Sequence, residues 1–139
     1  MGKYSELNDE AAALYSKGDI GAFVDTYAEN AVLRSPDGVF EGKAALRDYW
    51  TQEKASFPDS NVEMTRSIEQ GDVVAGEWTW TATNTGPLTL PDGTEIPATG
   101  KRVEVNGAEV LRFDGDKVVE HVLYFDNMSA FTQLGLIPS

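Results

Sequence analysis

The chain has 139 residues, with 11 Lys and Arg against 23 Asp and Glu, one His and no Cys; 41% are apolar and 24% charged. That size and balance suit one domain with a core of its own, and exclude disordered, fibrous and disulfide-stapled classes. A formal net charge of −12 argues against nucleic acid or an anionic membrane as partner, and one His without Cys leaves no thiolate or histidine-rich metal site.

In chain order, Leu7, Ala11, Leu14 and Tyr15 fall on one face of a first helix that ends at Gly18. Asp19 can cap a second helix carrying Ile20, Phe23, Val24 and Tyr27. Ala31 to Ser35 is a short apolar stretch stopped by the turn signal Pro36-Asp37-Gly38. A third helix follows Gly42 with Leu46, Tyr49, Trp50 and Phe57 at helical spacing, and Pro58 closes it. The period then changes to two. Val62, Met64, Arg66 and Ile68 alternate with Glu63, Thr65, Ser67 and Glu69, and Gly71-Asp72 turns into a strand through Trp78, Trp80, Ala82 and Asn84.

Residues 86–98, rich in Pro and Gly, read as a loop or hairpin tip. A long strand runs from about Gly100 to Phe113 with Asn106-Gly107 as a bulge, and Asp114-Gly115-Asp116 turns into Lys117 to Phe125. Asn127 to Leu134 adds a helical turn or two. Helices followed by antiparallel strands indicate an α+β domain over residues 1–139, with helices on one face of a curved sheet. The last strand is apolar on both parities, so it expects cover on both faces, from the helices and from a second subunit in a homodimer. The polar start Met1 to Leu7 and the lack of any apolar run near the roughly 20 residues of a membrane span lead to the expectation of a soluble, cytoplasmic domain.

Three stretches carry a family resemblance: Trp78 to Gly86 (WTWTATNTG), Pro97-Ala98-Thr99-Gly100, and the ending from Arg112 to Leu136 with Glu120, His121, Asp126 and Gln133-Leu134-Gly135. They resemble SnoaL-like polyketide cyclases, within the nuclear transport factor 2-like cone fold. The resemblance implies three N-terminal helices packed on a curved, mostly antiparallel sheet that encloses a pocket. It also implies a hydrophobic carbonyl substrate and an Asp acid/base at Asp126, working without metal or cofactor.

An Asp among aromatic groups is poorly solvated, which raises its pKa and makes it a useful base. Alternation puts Asp126 on one face with Tyr124 and Val122. The competing role is N-cap of the final helix, which would lower that pKa. Ketosteroid isomerases share the cone, and their protonated acid matches Glu109, three residues before Arg112; their Tyr and Asp fall at Ala11 and Ser35, so that catalytic set is incomplete. Glu109 is a second carboxyl facing the cavity, a solvated side chain near the bulge, or one paired with Arg112 or Lys101.

His121 falls opposite Asp126 with Val119, Leu123 and Phe125, and is expected to face away from the cavity, in an interface or a satisfied core position. Trp78, Trp80, Tyr27 and Trp50 are candidate pocket walls or ordinary core. Tyr124 could bond or shape a ligand. Asn84 stands where family members often carry His, so only hydrogen bonding survives there. Arg34 could meet an anionic ligand group or pair with a carboxylate. The favoured chemistry is aldol-type ring closure, with isomerisation, hydrolysis or binding without turnover as rivals.

Overall fold

The computed structural model describes residues 2–90 and 92–137. Helix α1 (Lys3–Lys17) ends at Gly18, whose φ of 90° is left-handed, and the amides of Gly18 and Asp19 reach back to the Tyr15 and Leu14 carbonyls. Asp19 caps α2 (Ile20–Val24), its carboxylate accepting the Ala22 N–H at 3.1 Å. This helix is shorter than its apolar spacing suggests. The Val118 N–H donates to the Thr26 carbonyl, so sheet pairing takes the backbone group that another helical turn would use. Tyr27 therefore opens strand β1 (Tyr27–Ser35).

β2 (Gly38–Glu41) follows, then α3 (Lys43–Ser56), which stops before Pro58. β3 (Asn61–Gln70) and β4 (Val73–Thr83) form a hairpin; β5 (Leu88–Thr89) and β6 (Glu95–Ile96) pair within the Pro/Gly-rich stretch. β7 (Arg102–Asp114), β8 (Lys117–Tyr124) and α4 (Asn127–Gln133) complete the chain. The main sheet has the order β2-β1-β8-β7-β4-β3, with β1 parallel to β8 and the other neighbours antiparallel. α1 packs on β3 and α3 on β1, so the helices cover one face of the sheet: an α+β cone. Among the described residues no helix is long and apolar enough to cross a membrane.

Two irregularities decide which side chains face inward. In β3, Met64 pairs with Trp78 but Arg66 with Glu77, leaving Thr65 as an extra residue. The alternation flips there. Ile68, expected on the face of Val62 and Met64, is 61% exposed. Glu69 takes the inward place, and its carboxylate accepts the Ser5 N–H at 2.7 Å, satisfying an orphan amide of α1. No bulge forms at Asn106-Gly107, where β4–β7 pairing runs unbroken. Gly107 instead makes room: a Cβ there would lie 2.5 Å from the Trp78 indole and 2.8 Å from the Tyr124 carbonyl oxygen.

Candidate active site

The sheet and helices enclose a cavity of about 800 Å³ whose lining includes Phe23, Trp50, Phe57, Trp78, Trp80, Leu123 and Phe125. Two polar clusters interrupt this apolar wall. The first lies on β7 and β8, where the odd-numbered residues Val103, Val105, Glu109, Leu111 and Phe113 are buried. Glu109 and His121 are 7% and 5% exposed, and His121 Nε2 lies 2.7 Å from Glu109 Oε1. Asn8 Nδ2 donates to Glu109 Oε2 at 3.1 Å, and the Tyr27 hydroxyl lies 2.8 Å from His121 Nδ1.

Burial pushes the Tyr27 phenol well above its ordinary range, with the nearby Trp50 indole pulling it partly back. Tyr27 thus keeps its proton. Donation from Tyr27 to Nδ1 leaves Nε2–H to donate to Glu109, a tautomer assigned from the hydrogen-bond network. Glu109 then lines the cavity as a carboxylate held by two donors.

The second cluster joins α1, α3 and β4. The Tyr15 hydroxyl donates to Glu53 Oε1 at 2.6 Å, lies 3.0 Å from Ser60 Oγ, and accepts the Trp80 Nε1–H at 2.8 Å. Burial pushes the Glu53 carboxyl up to about 7; the Tyr15 bond and Lys54 oppose the shift and Asp37 adds to it. Among the described residues no group of three or more His, Cys, Asp or Glu is placed to hold a metal ion.

Glu109, Trp50, Trp78 and Trp80 line the cavity, while Tyr27 sits behind His121, 2% exposed. His121 faces the cavity, not away from it, because the stripe it shares with Leu123 and Phe125 is the concave one. The opposite parity faces out. Tyr124 is 59% exposed, and Arg34 pairs at 3.0 Å with Glu120 on the outer sheet surface, so neither reaches the cavity. Asn84 is fully buried outside the lining, its amide spent on Ser56, Gly86 and Thr99.

Asp126 is the exposed N-cap of α4, accepting the Met128 and Ser129 N–H groups at 2.9 and 3.2 Å. Asp126→Ala is expected to cost about 1 kcal/mol in urea unfolding and to leave aromatic-ligand affinity unchanged in a calorimetric titration.

Sequence reasoning missed Asn8, Tyr15, Glu53 and the inward direction of His121. A usable signal existed: Glu109 and His121 each break an otherwise apolar every-second-residue stripe. On α1 the buried set is Ser5, Asn8, Ala11 and Tyr15, one position round from the Leu7–Leu14 stripe.

Solved structures share this architecture. AclR of Streptomyces galilaeus, assigned as a hydroxylase, superposes with a TM-score of 0.83 at 27% identity, over 99% of this chain and 83% of its own. A protein of Acidithiobacillus ferrooxidans assigned as a polyketide cyclase gives 0.77 at 29% identity, covering 96% and 95%. SalBIII, an epoxide hydrolase/cyclase-like enzyme of pyran ring formation in salinomycin, gives 0.75 at 22% identity over 91% and 93%, a likeness of fold. The sequence matches none of the curated proteins. The model of the SnoaL-like polyketide cyclases matches residues 5–134, and the chain belongs to that family.

Proposed function

We propose that the protein takes a hydrophobic, polyketide-like carbonyl compound into the cavity and closes a ring in it by proton transfer at Glu109. The observation that carries this reading is a carboxylate fixed by Asn8 and His121 in the wall of an otherwise aromatic cavity. A ligand that fills this apolar cavity displaces water from around the carboxylate, so the proton passes directly between substrate and protein. Glu109 removes a proton from the carbon beside a ketone, leaving an enolate. The enolate carbon attacks a second carbonyl of the same molecule, one carbon–carbon bond forms, and the new alkoxide takes the proton back from Glu109. No cofactor enters this balance.

The protein works as a homodimer in this reading. One row of cross-strand neighbours on the outer sheet face, Val39, Arg34, Val122, Val110, Ala75 and Ile68, is apolar apart from Arg34. A second copy would cover it.

The test is deuterium exchange into β-tetralone in heavy water, followed by NMR. Wild-type protein is expected to accelerate exchange beside the carbonyl. Glu109→Gln should lose about 100-fold or more of that acceleration, the usual span for a general base, and Asp126→Asn should keep it. Binding of β-tetralone with no exchange would overturn the catalytic reading and leave a carrier of hydrophobic ligands. Exchange lost in Asp126→Asn but kept in Glu109→Gln would return the chemistry to Asp126.

A further inference from the structure

Four carboxyls line the cavity, the exposed Asp37 and Asp48 and the more inward Glu109 and Glu53, and the ring closure above does not use Glu53. Its surroundings are built. Tyr15, itself 3% exposed, spends its hydroxyl on holding Glu53 Oε1 while Ser60 and Trp80 fix that hydroxyl from two other sides. Lys54, the adjacent cation, is engaged elsewhere, since its Nζ donates to the Ser60 carbonyl at 2.8 Å and lies 4.4 Å from the Tyr15 ring centroid. Asp37, an exposed lining carboxylate, accepts from Tyr49 and Asn127. Among the described residues Glu53 is thus an inward carboxyl with no salt bridge, one oxygen anchored by Tyr15 and the other without a hydrogen bond, in a site where an idle ionisable group is a cost.

The spacing of the two carboxyl sites follows from the elements that hold them. Asn8, on Glu109, and Tyr15, on Glu53, lie two turns apart on one face of α1, about 10 Å along its axis. On β4, Gly76 pairs with Glu109 and Trp80 bonds Tyr15, four residues on, or roughly 13 Å. Aromatic side chains fill the wall between them, Trp78 and Trp80 among them.

We propose that Glu53, positioned by Tyr15, docks a second oxygen of the substrate, so that the substrate is a flat, apolar ring system with a carbonyl or hydroxyl at each end. This deepens the ring-closure reading and rests on it. As a neutral acid Glu53 donates to a carbonyl, and as a carboxylate it accepts from a phenol; a carboxyl pushed up to about 7 has both forms at hand near neutrality.

The experiment is calorimetric titration of β-naphthol and of the dihydroxynaphthalene with hydroxyls at both far ends, at one pH above neutrality. Wild-type protein is expected to bind the diol about tenfold more tightly, the worth of one charge-assisted hydrogen bond. That advantage should shrink severalfold in Glu53→Gln, which keeps the shape and an acceptor for Tyr15, and vanish in Glu53→Leu. Tyr15→Phe, which frees Glu53 without removing it, should give an intermediate loss. Equal wild-type affinities for the two ligands, or a diol advantage that survives Glu53→Leu, would overturn the second docking site and leave the ring-closure reading standing. Failure of both ligands to bind would overturn the aromatic-ligand cavity, and the docking site with it.

Discussion

His121→Ala is expected to remove about 3–5 kcal/mol of stability, measured by urea unfolding near neutral pH. The substitution leaves Glu109 buried with Asn8 as its remaining hydrogen-bond partner, and leaves the Tyr27 hydroxyl without the acceptor it now meets at 2.8 Å. An uncompensated buried carboxylate is costly because the low-dielectric wall cannot replace the lost donor. Replacing both members tests the cause: Glu109→Leu with His121→Leu should recover most of the loss, since a buried pair exchanged for apolar side chains of similar volume is close to neutral. A cost below about 1 kcal/mol for His121→Ala would mean that water or a shifted side chain satisfies Glu109, and its service as a water-shielded base would have to be abandoned. The same pair shows why function and stability are coupled here. The group proposed to move the proton is held by bonds that the fold cannot lose cheaply.

Asn84→Ala is expected to cost about 3 kcal/mol and to loosen the segment over the cavity mouth. Asn84 Nδ2 donates to the Ser56 and Gly86 carbonyls at 3.2 and 2.8 Å, and Oδ1 accepts the Thr99 N–H and hydroxyl at 2.8 and 2.9 Å. One fully buried side chain thus ties the end of α3 to both ends of the β5–β6 hairpin, whose Leu88, Thr89 and Leu90 line the cavity. After truncation the Gly86 carbonyl and Thr99 amide have no replacement partner, whereas the Ser56 carbonyl keeps the Gly86 N–H. Hydrogen exchange should therefore accelerate first at Leu90 and Gly100, while amides of β7 and β8 stay protected. Uniform acceleration across the sheet would instead show that Asn84 supports the whole fold and does not anchor the hairpin.

The aromatic density of the cavity gives these two anchoring points their functional weight. Trp50 meets Tyr15, Phe23 and Tyr49 edge-on at 5.6, 5.3 and 5.0 Å between ring centroids, a lattice that fixes the helix side of the cavity. The β5–β6 hairpin has no such lattice behind it. Its two short strands pair only with each other, so the side-chain knot at Asn84 does what packing does elsewhere.

Much of this protein is written in its local sequence. Helix α1 stops where Gly18 allows a left-handed residue, Asp19 caps α2, Pro58 follows the end of α3, and Gly71 and Gly115 turn the two long hairpins; each depends on a few adjacent residues. The α+β order and the stripes of the strands without a bulge are legible for the same reason, because alternation states which side chains travel together, while the family is legible in the motif stretches of the second half. It does not state which stripe is concave. Val118 to Phe125 is apolar on both parities, so assigning Asp126 and Tyr124 to the cavity and His121 to the outside is as consistent with the pattern as the reverse. Only packing of α1 and α3 on the sheet decides it, by burying the stripe of His121, Leu123 and Glu109. The extra residue at Thr65, which turns Ile68 out and Glu69 in, and the meeting of Tyr15 with Glu53 across 38 positions are likewise set by pairing between distant segments. Local pattern fixes most elements, and the parities of strands without a bulge, because their interactions are near in sequence; the polar sites are made of long-range contacts, and those exist only once the cone has closed.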